Sequence, residues 1–246
     1  MKISNEQKQE NRLNIIQAAV SLMIDKGLKN TTMRAIAKEA GLGEATIYNY
    51  FPTKESILFA YYEEKLLVCT VHLKTIPEFN QYNFQEQLQT YFETMLGLFL
   101  PDREFIALSI RPVFFSVSSD FKRLKKSREL FFSVLEDIFQ AAVEVEEIPE
   151  LYFKELIYQF FWDYFIGIVF YWLKDRSDKF TDTSLLIDKT MDLACAFIKT
   201  GVGNKIFDIT SFLFKNHILS RMDFLRDRID TIHKIKREFM GEPDAG

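Results

Sequence analysis

Apolar residues recur three and four positions apart along most of the chain, which is the spacing of one buried face of an α-helix. The first such stripe predicts a helix over about residues 5–26, ended by Gly27. The same spacing predicts further helices at about 33–40, 43–50, 54–75, 84–99, 102–117, 120–146, 150–175, 183–200 and 204–239, the last one broken near 216–220. No run of residues alternates as a β-strand does. We therefore predict an all-α protein.

The second and third predicted helices have the layout of a helix-turn-helix motif, over about residues 32–51. Gly41 lies between them, where a left-handed backbone is needed for the turn. Ile47 and Phe51 are four residues apart and therefore point the same way, towards the preceding helices. Pro52 cannot continue the third helix.

The other side of the third helix has no residue apolar enough to anchor it in a core. Glu44 and Tyr48 share that side, with Ala45 and Asn49 beside them. Asparagine pairs with adenine edges in the major groove, and small residues such as Ala45 and Thr46 allow close approach to a thymine methyl group. This side of the helix is a candidate for DNA contact, although a helix-turn-helix can also be purely structural.

Charge and cysteine content narrow the class of protein. The net charge is −4, which argues against nonspecific binding of nucleic acid over the whole surface, but residues 1–60 hold eight basic and six acidic side chains. Cys69 and Cys195 have no metal-binding spacing, so we expect buried, reduced thiols. The N-terminus is polar, and the apolar run 160–173 is shorter than the roughly 20 residues that span a bilayer. We expect a soluble, cytoplasmic protein without membrane contact.

The stretch TTMRAIAKEAGLGEATIYNYFPTKESIL, residues 31–58, resembles the N-terminal domain of the TetR/AcrR family of bacterial transcriptional regulators. The resemblance covers about residues 8–70. The residues in register are Thr31-Thr32, Ile36-Ala37, Ala40-Gly41, Ile47-Tyr48, Tyr50-Phe51 and Lys54-Glu55. It implies an all-helical, usually dimeric protein with a ligand-responsive C-terminal domain.

The resemblance also implies roles for individual residues. It places Thr32 at the start of the second helix near a phosphate, and Lys54 on the DNA backbone at the start of the fourth helix. It makes Tyr48, Asn49 and Tyr50 face DNA.

Two departures from the family pattern matter, the missing serine and the glutamate. Family members often have a serine, a lysine or arginine, and a glycine where this chain has Gly43, Glu44 and Ala45. The missing serine weakens the N-cap of the third helix, and Glu44 removes a phosphate contact and adds repulsion. Glu44 also has two other readings: a carboxylate that stabilises the helix N-terminus, or an acceptor for a cytosine amino group.

The resemblance and the helix pattern together predict a helix-turn-helix DNA-binding domain over residues 1–60. A larger helical domain for ligand binding and dimerisation follows over 61–240, and 241–246 is a disordered tail. The amphipathic segment Leu219 to Phe239 can cover the ligand domain, join the dimer contact or touch a membrane, and we expect it to pack on its own protein.

The aromatic run at 160–173 exceeds what one helix face can hold, so it predicts core, dimer interface or a ligand site. Asp163 in its middle can cap a pocket, bind a cationic ligand or lie at the solvent edge. The predicted ligand pocket comprises Phe114, Phe115, Phe131, Phe161, Trp162, Asp163 and Phe165. The predicted dimer interface comprises Phe160, Tyr164, Gly167, Tyr171, Ile187, Met191 and Ala194.

We expect a ligand-responsive transcriptional regulator, a repressor released from a palindromic DNA operator by a small apolar or aromatic molecule. The alternative is a protein of the same fold that binds lipid or another hydrophobic ligand without DNA recognition. The expected partners are double-stranded DNA, a hydrophobic ligand and a second copy of the chain. No nucleophile–base pair, metal-ligand cluster or cofactor loop is readable, so we predict no enzyme activity, metal or cofactor.

Overall fold

The computed structural model describes residues 4–115 and 121–213, and this part of the chain is helical without any β-strand. Short 3-10 turns lie at Phe79–Gln81, Leu100–Asp102 and Asp178–Phe180. The α-helices of the described residues are α1 Asn5–Asn30, α2 Met33–Glu39, α3 Glu44–Ile47, α4 Lys54–Leu73, α5 Phe84–Phe99, α6 Arg103–Phe114, α7 Phe121–Glu144, α8 Lys154–Lys174, α9 Thr181–Lys199 and α10 Val202–Leu213. The predicted all-α fold is confirmed.

Side-chain caps explain where several helices begin. Thr32 caps α2 by accepting a hydrogen bond from a backbone N–H of its first turn. Thr53 and Ser56 form a reciprocal capping box at the start of α4, and Asn83 and Glu86 form another at the start of α5. Each box satisfies two backbone donors that would otherwise lack a partner in the helix.

The third helix is shorter than predicted. It is α-helical only over Glu44–Ile47, and the predicted extent of 43–50 is wrong. Residues 48–50 continue as hydrogen-bonded turns, in which Asn49 N–H donates to the Thr46 carbonyl at 3.1 Å and Tyr50 N–H to the Ile47 carbonyl at 3.0 Å. These bonds reach back three residues rather than four, so the segment tightens before Pro52.

Helix α4 belongs to both halves of the described chain. The predicted domain boundary at residue 60 falls inside this helix, which is continuous from Lys54 to Leu73. It packs with α1 and also with α5, α6 and α7. The buried Tyr62 hydroxyl lies 2.8 Å from the Ser109 hydroxyl of α6, so a specific polar contact fixes α4 on α6. A movement of α4 would therefore displace its contacts with α1 and with α5, α6 and α7.

Aromatic rings fill the core of the larger half. Phe131 of α7 is fully buried, and its ring centroid lies 5.2–6.0 Å from those of Tyr91, Phe92, Trp162 and Phe165. Edge-to-face and tilted arrangements of this kind are favourable for aromatic pairs. Phe92, Phe131 and Phe165 are thus three of the chain's 25 phenylalanines that build this core.

The two cysteines are buried and unpaired, as predicted. Burial raises the pKa of the Cys69 and Cys195 thiols to about 12, so both stay protonated at neutral pH.

One helix of the described residues, α8, is long and apolar enough to cross a membrane by length and composition. The apolar run 160–173 is only part of this helix, which extends beyond it at both ends and reaches 21 residues. A buried core helix passes the same criterion, and seven residues of α8 are buried inside the protein. The predicted segment beyond residue 213 and the tail 241–246 lie outside the described residues.

Candidate DNA-binding face and the cavities of the C-terminal helices

The inner side of the helix-turn-helix is packed as predicted. Ile36, Ala37 and Ile47 are almost completely buried, and Phe51 is 4% exposed. Gly41 has φ +69°, the left-handed conformation that the turn between α2 and α3 requires. The inner residues therefore hold α3 firmly against α1 and α2.

The outer side of α3 and of the turn that follows it carries the residues predicted to face DNA. Glu44, Ala45, Tyr48 and Asn49 are exposed, and Tyr48 is 49% exposed although it is a large aromatic residue. Thr46 is half-buried. These residues lie together on one accessible surface, and their contact with DNA stays a prediction.

Tyr50 differs from its expected outward position. It is half-buried, and its hydroxyl accepts a hydrogen bond from the side-chain amide of Asn11 on α1, at 3.0 Å. The reason is the tightening after Ile47, which turns Tyr50 back towards α1. Tyr50 therefore braces the end of the motif, and only its remaining exposed edge is available to a partner.

Lys54 also has a structural position that the sequence did not indicate. Its ammonium group donates to the carbonyl of Leu28 in a short hydrogen bond and to the carbonyl of Thr31 at 3.0 Å. Leu28 lies in the last residues of α1, after the non-helical Gly27, and Thr31 is the C-cap residue that follows this helix. Lys54 thus ties the start of α4 to the residues just before the motif, and its contact with a phosphate stays a prediction.

The N-terminus of α3 lacks a side-chain cap, as the sequence predicted, because Gly43 occupies the cap position. Thr32 caps α2 through Ala35 N–H at 3.2 Å and is exposed, which fits its predicted place at the helix start. The Glu44 carboxylate lies 3.5 Å from Nε of Arg34 on α2. The unexpected negative charge of α3 therefore has a positive neighbour on the same surface.

A cluster of charged side chains connects this motif to the C-terminal helices. The Arg12 guanidinium of α1 lies 5.6 Å from the Phe51 ring and 3.1 Å from the Glu64 carboxylate of α4. Glu63, the neighbour of Glu64, lies 3.7 Å from Arg12 and 2.8 Å from the ammonium of Lys126 on α7. Through these contacts α1, α4 and α7 share one set of ion pairs.

A cleft of about 520 Å³ lies between the end of α6, α7 and α8. Four residues of the predicted ligand pocket line it: Phe114, Phe115, Trp162 and Asp163. Asp163 is exposed at its rim and accepts a hydrogen bond from Gln159 at 2.8 Å, so it is a solvated carboxylate rather than a buried one. Arg128, which the sequence analysis missed, also lines the cleft and donates to Gln159.

The other predicted pocket residues lie elsewhere. Phe131, Phe161 and Phe165 are buried in the aromatic core, because these faces of α7 and α8 meet other helices. Phe165 borders a void of about 20 Å³, which is large enough for one water molecule. Phe114 and Trp162 border this void as well as the cleft, and Tyr62 of α4 closes it on the far side.

A second, almost wholly apolar groove of about 630 Å³ runs between α8 and α9. Four residues of the predicted dimer interface line it: Phe160, Tyr164, Met191 and Ala194. The groove also exposes Leu156, Leu193 and Phe197, at 68%, 72% and 49% of their surface. These three residues are not among the predicted interface residues. The spacing of four between Leu193 and Phe197 does place those two on one face of α9.

The remaining interface predictions are only partly compatible with the structure. Ile187 is buried within the protein, and Met191 lies in the wall of the groove but is itself 0% exposed, so neither offers an exposed surface to a partner. Gly167 lines the cleft rather than the groove. Tyr171 is 43% exposed on α8, one turn beyond the cleft-lining Gly167.

Family sequence models match two parts of the chain. The model of bacterial regulatory proteins of the tetR family matches residues 15–61, and that of the tetracyclin repressor-like C-terminal domain matches residues 87–213. An uncharacterized HTH-type transcriptional regulator of Bacillus subtilis, YuxN, is 29% identical over 100 residues, covering 39% of this chain and 33% of that protein. The fatty acid metabolism regulator protein of the same organism is 39% identical over 61 residues, covering 25% of this chain and 31% of that protein. These matches span about a third of the curated relatives.

Solved structures share the fold over most of the chain. The regulator FadR from Thermus thermophilus in complex with lauroyl-CoA has a TM-score of 0.57 at 19% identity, covering 74% of this chain and 92% of its own. FadR from Bacillus subtilis in complex with stearoyl-CoA has a TM-score of 0.55 at 22% identity, covering 73% and 96%. The C-terminal family model alone covers just over half of the chain. With its helix-turn-helix and its helical C-terminal half, this chain belongs to the TetR family of bacterial transcriptional regulators.

Proposed function

We propose that the protein is a homodimeric, cytoplasmic repressor that binds a palindromic DNA operator and releases it when an apolar ligand binds. The observation that carries this proposal is the outer side of α3. It exposes a tyrosine, an asparagine and a small residue, Tyr48, Asn49 and Ala45, while Ile47 anchors the helix from within. Such a surface is suited to hydrogen bonds with base edges and phosphates in a major groove.

A second copy of the chain is the partner that best fits the groove between α8 and α9. Leu156, Phe160, Leu193 and Phe197 form an exposed apolar patch there, which is costly to leave in water. A two-fold axis through this patch would use the same surface on both copies and give a dimer with two copies of α3. Two recognition helices bind successive major grooves when they lie roughly 34–36 Å apart.

An apolar ligand fits the cleft that Phe114, Phe115 and Trp162 line. The two FadR structures of the same fold hold acyl-CoA molecules, which supports a ligand with a long apolar portion. A ligand that extends past Phe114 and Trp162 into the small void would press on Tyr62 of α4. Since α4 also begins at the DNA-binding motif, its displacement would change the separation of the two α3 helices.

The test is a DNA-binding titration with the full-length protein and duplexes selected from a random library. The wild-type protein is expected to bind selected duplexes with an affinity that falls steeply as salt rises. Tyr48→Ala should weaken binding without changing the thermal unfolding curve, and Tyr48→Phe should retain stacking and lose only the hydroxyl contact. Equal binding by wild type and Tyr48→Ala would remove the assignment of α3 as the DNA-binding element.

The ligand arm of the proposal uses lauroyl-CoA as the probe. Because coupling between two sites is reciprocal, lauroyl-CoA should weaken DNA binding by the factor by which DNA weakens lauroyl-CoA binding. Ligand binding without any sequence-selective DNA binding would instead favour the alternative, a hydrophobic-ligand-binding protein of the same fold.

A further inference from the structure

Glu44 stands at the position where a negative charge is least expected on a DNA-binding surface. A carboxylate in the first turn of a helix often accepts hydrogen bonds from the free backbone N–H groups there. Among the described residues, no α3 N–H group donates to Glu44. Its carboxylate points across to α2 instead, where Oε2 lies 3.5 Å from Nε of Arg34. Hydrogen-bonded capping of α3 therefore does not explain where this side chain points, although its charge suits the positive end of the helix.

The pair is also too exposed to serve the stability of the fold. The Glu44 side chain is 57% exposed and the Arg34 side chain is 83% exposed. Ion pairs between such groups contribute little, because water screens them and two long side chains must be held still. Both groups remain accessible to a third partner on the outer surface of the motif.

The location of Glu44 indicates what that partner is. In helix-turn-helix proteins the N-terminal residues of the second helix contact base edges, whereas phosphates flank the motif. Glu44 is the first residue of α3, and its neighbours Gly43 and Ala45 are small enough for close approach to the groove floor. Glu44 therefore approaches bases rather than phosphates when α3 enters a major groove.

An ionised carboxylate can only accept hydrogen bonds. In the major groove, guanine offers two acceptors and thymine an acceptor and a methyl group, so neither can satisfy it. Cytosine offers its N4 amino donor, and glutamate pairs with it directly. Adenine places its amino donor beside the N7 acceptor, which repels a second acceptor. The Arg34 guanidinium offsets the charge of the carboxylate towards the DNA, and the pair is screened less once bound DNA excludes water from it.

Resting on the proposed function, we propose that Glu44 is a specificity-determining residue that reads a cytosine in each half of the operator, and that Arg34 is its positioning residue. Where family members often have a lysine or arginine for a phosphate contact, Glu44 together with Arg34 makes a base contact instead. The consequence is a regulator whose α3 gains selectivity at one base pair rather than general affinity.

The experiment selects DNA from a library of random duplexes with wild type, Glu44→Gln, Glu44→Ala and Arg34→Ala, and then measures affinities at several salt concentrations. Wild type should prefer cytosine at one position of each half-site by about 5- to 150-fold. Glu44→Ala should lose that preference and keep the others. Glu44→Gln, which carries both a donor and an acceptor, should shift the preference towards adenine.

Arg34→Ala should reduce discrimination at the same base pair. The double variant Arg34→Ala with Glu44→Ala should discriminate no less there than Glu44→Ala alone, because Arg34 acts only through Glu44. The inference is overturned if Glu44→Ala raises affinity equally for all sequences with unchanged base preferences, since that is the behaviour of a carboxylate that repels phosphates. If wild type selects no sequence at all, the proposed function itself fails. The two failures are therefore distinguishable.

Discussion

Replacing Lys54 with alanine separates a structural role from a DNA-binding role for this residue. The lysine ammonium donates to the carbonyls of Leu28 and Thr31 and so joins α4 to the segment before α2. A hydrogen bond to a charged group contributes about 1.5–3 kcal/mol. Since Lys54 is half-buried and water can reach part of the site, we expect Lys54→Ala to lower the free energy of unfolding by about 2 kcal/mol, less than the sum of two bonds.

The assay is thermal unfolding followed by circular dichroism, beside a salt titration of DNA binding. For a protein of this size, the loss corresponds to a fall in Tm of about 4–8 °C. The matched control is Lys38→Ala, an exposed lysine of α2, which should leave Tm nearly unchanged. The reasoning is refuted if Lys54→Ala keeps the wild-type Tm while the slope of log affinity against log salt falls by about 0.9 for each subunit, because that result identifies a phosphate contact.

Three other predictions concern the C-terminal half. Hydrogen bonds from Ser177 and Thr183 lower the pKa of Asp175 to about 2. The ionised carboxylate therefore stabilises the fold above pH 4, and this contribution is lost as the pH falls towards 2. Urea unfolding of the wild type and of Asp175→Asn at several pH values measures the difference. Leu193→Glu should give a monomer by light scattering, whereas Val145→Glu, equally exposed at 72% but outside the groove, should remain dimeric. In the Trp172→Phe variant, where Trp162 is the remaining tryptophan, lauroyl-CoA should change the fluorescence emission. The Trp162→Phe variant should show no such change.

Helix positions could be predicted well where the pattern and the caps agree. The predicted helix at 84–99 coincides with α5, since an amphipathic stripe begins at a complete capping box of Asn83 and Glu86. The end of α3 could not be predicted, because a four-residue helix has too few positions to show a period. Its length depends on hydrogen bonds that tighten the chain ahead of Pro52.

Contacts between residues far apart in the sequence explain why two residues predicted to face DNA, Tyr50 and Lys54, point towards the protein. Tyr50 turns inward to Asn11, which is 39 positions away, and Lys54 bonds to Leu28, which is 26 positions away. Both looked like exposed DNA-binding residues in a local reading of the sequence. The sequence shows that such side chains are polar and near the motif, but only the packing of α1 against α4 determines where they point.

The aromatic helix α8 shows a different limit. Phe160 and Phe161 are neighbours in the chain, yet Phe160 is 57% exposed in the groove and Phe161 is 1% exposed in the core. Adjacent residues of a helix point about 100° apart, so their environments must differ. Apart from Gln159 and Asp163 at the rim of the cleft, α8 is apolar around most of its circumference, so its sequence does not show which apolar side other helices cover. Groove and core could therefore not be separated before the structure was known.

The central claim is that a dimer presents two copies of α3 to one DNA site. Hydroxyl-radical footprinting of the wild-type protein on a selected duplex tests this claim most directly. The account predicts two protected patches whose centres lie about 10–10.5 base pairs apart or a multiple of it, and their loss in Tyr48→Ala. Uniform protection along the duplex, or two patches that persist in Tyr48→Ala, would contradict it.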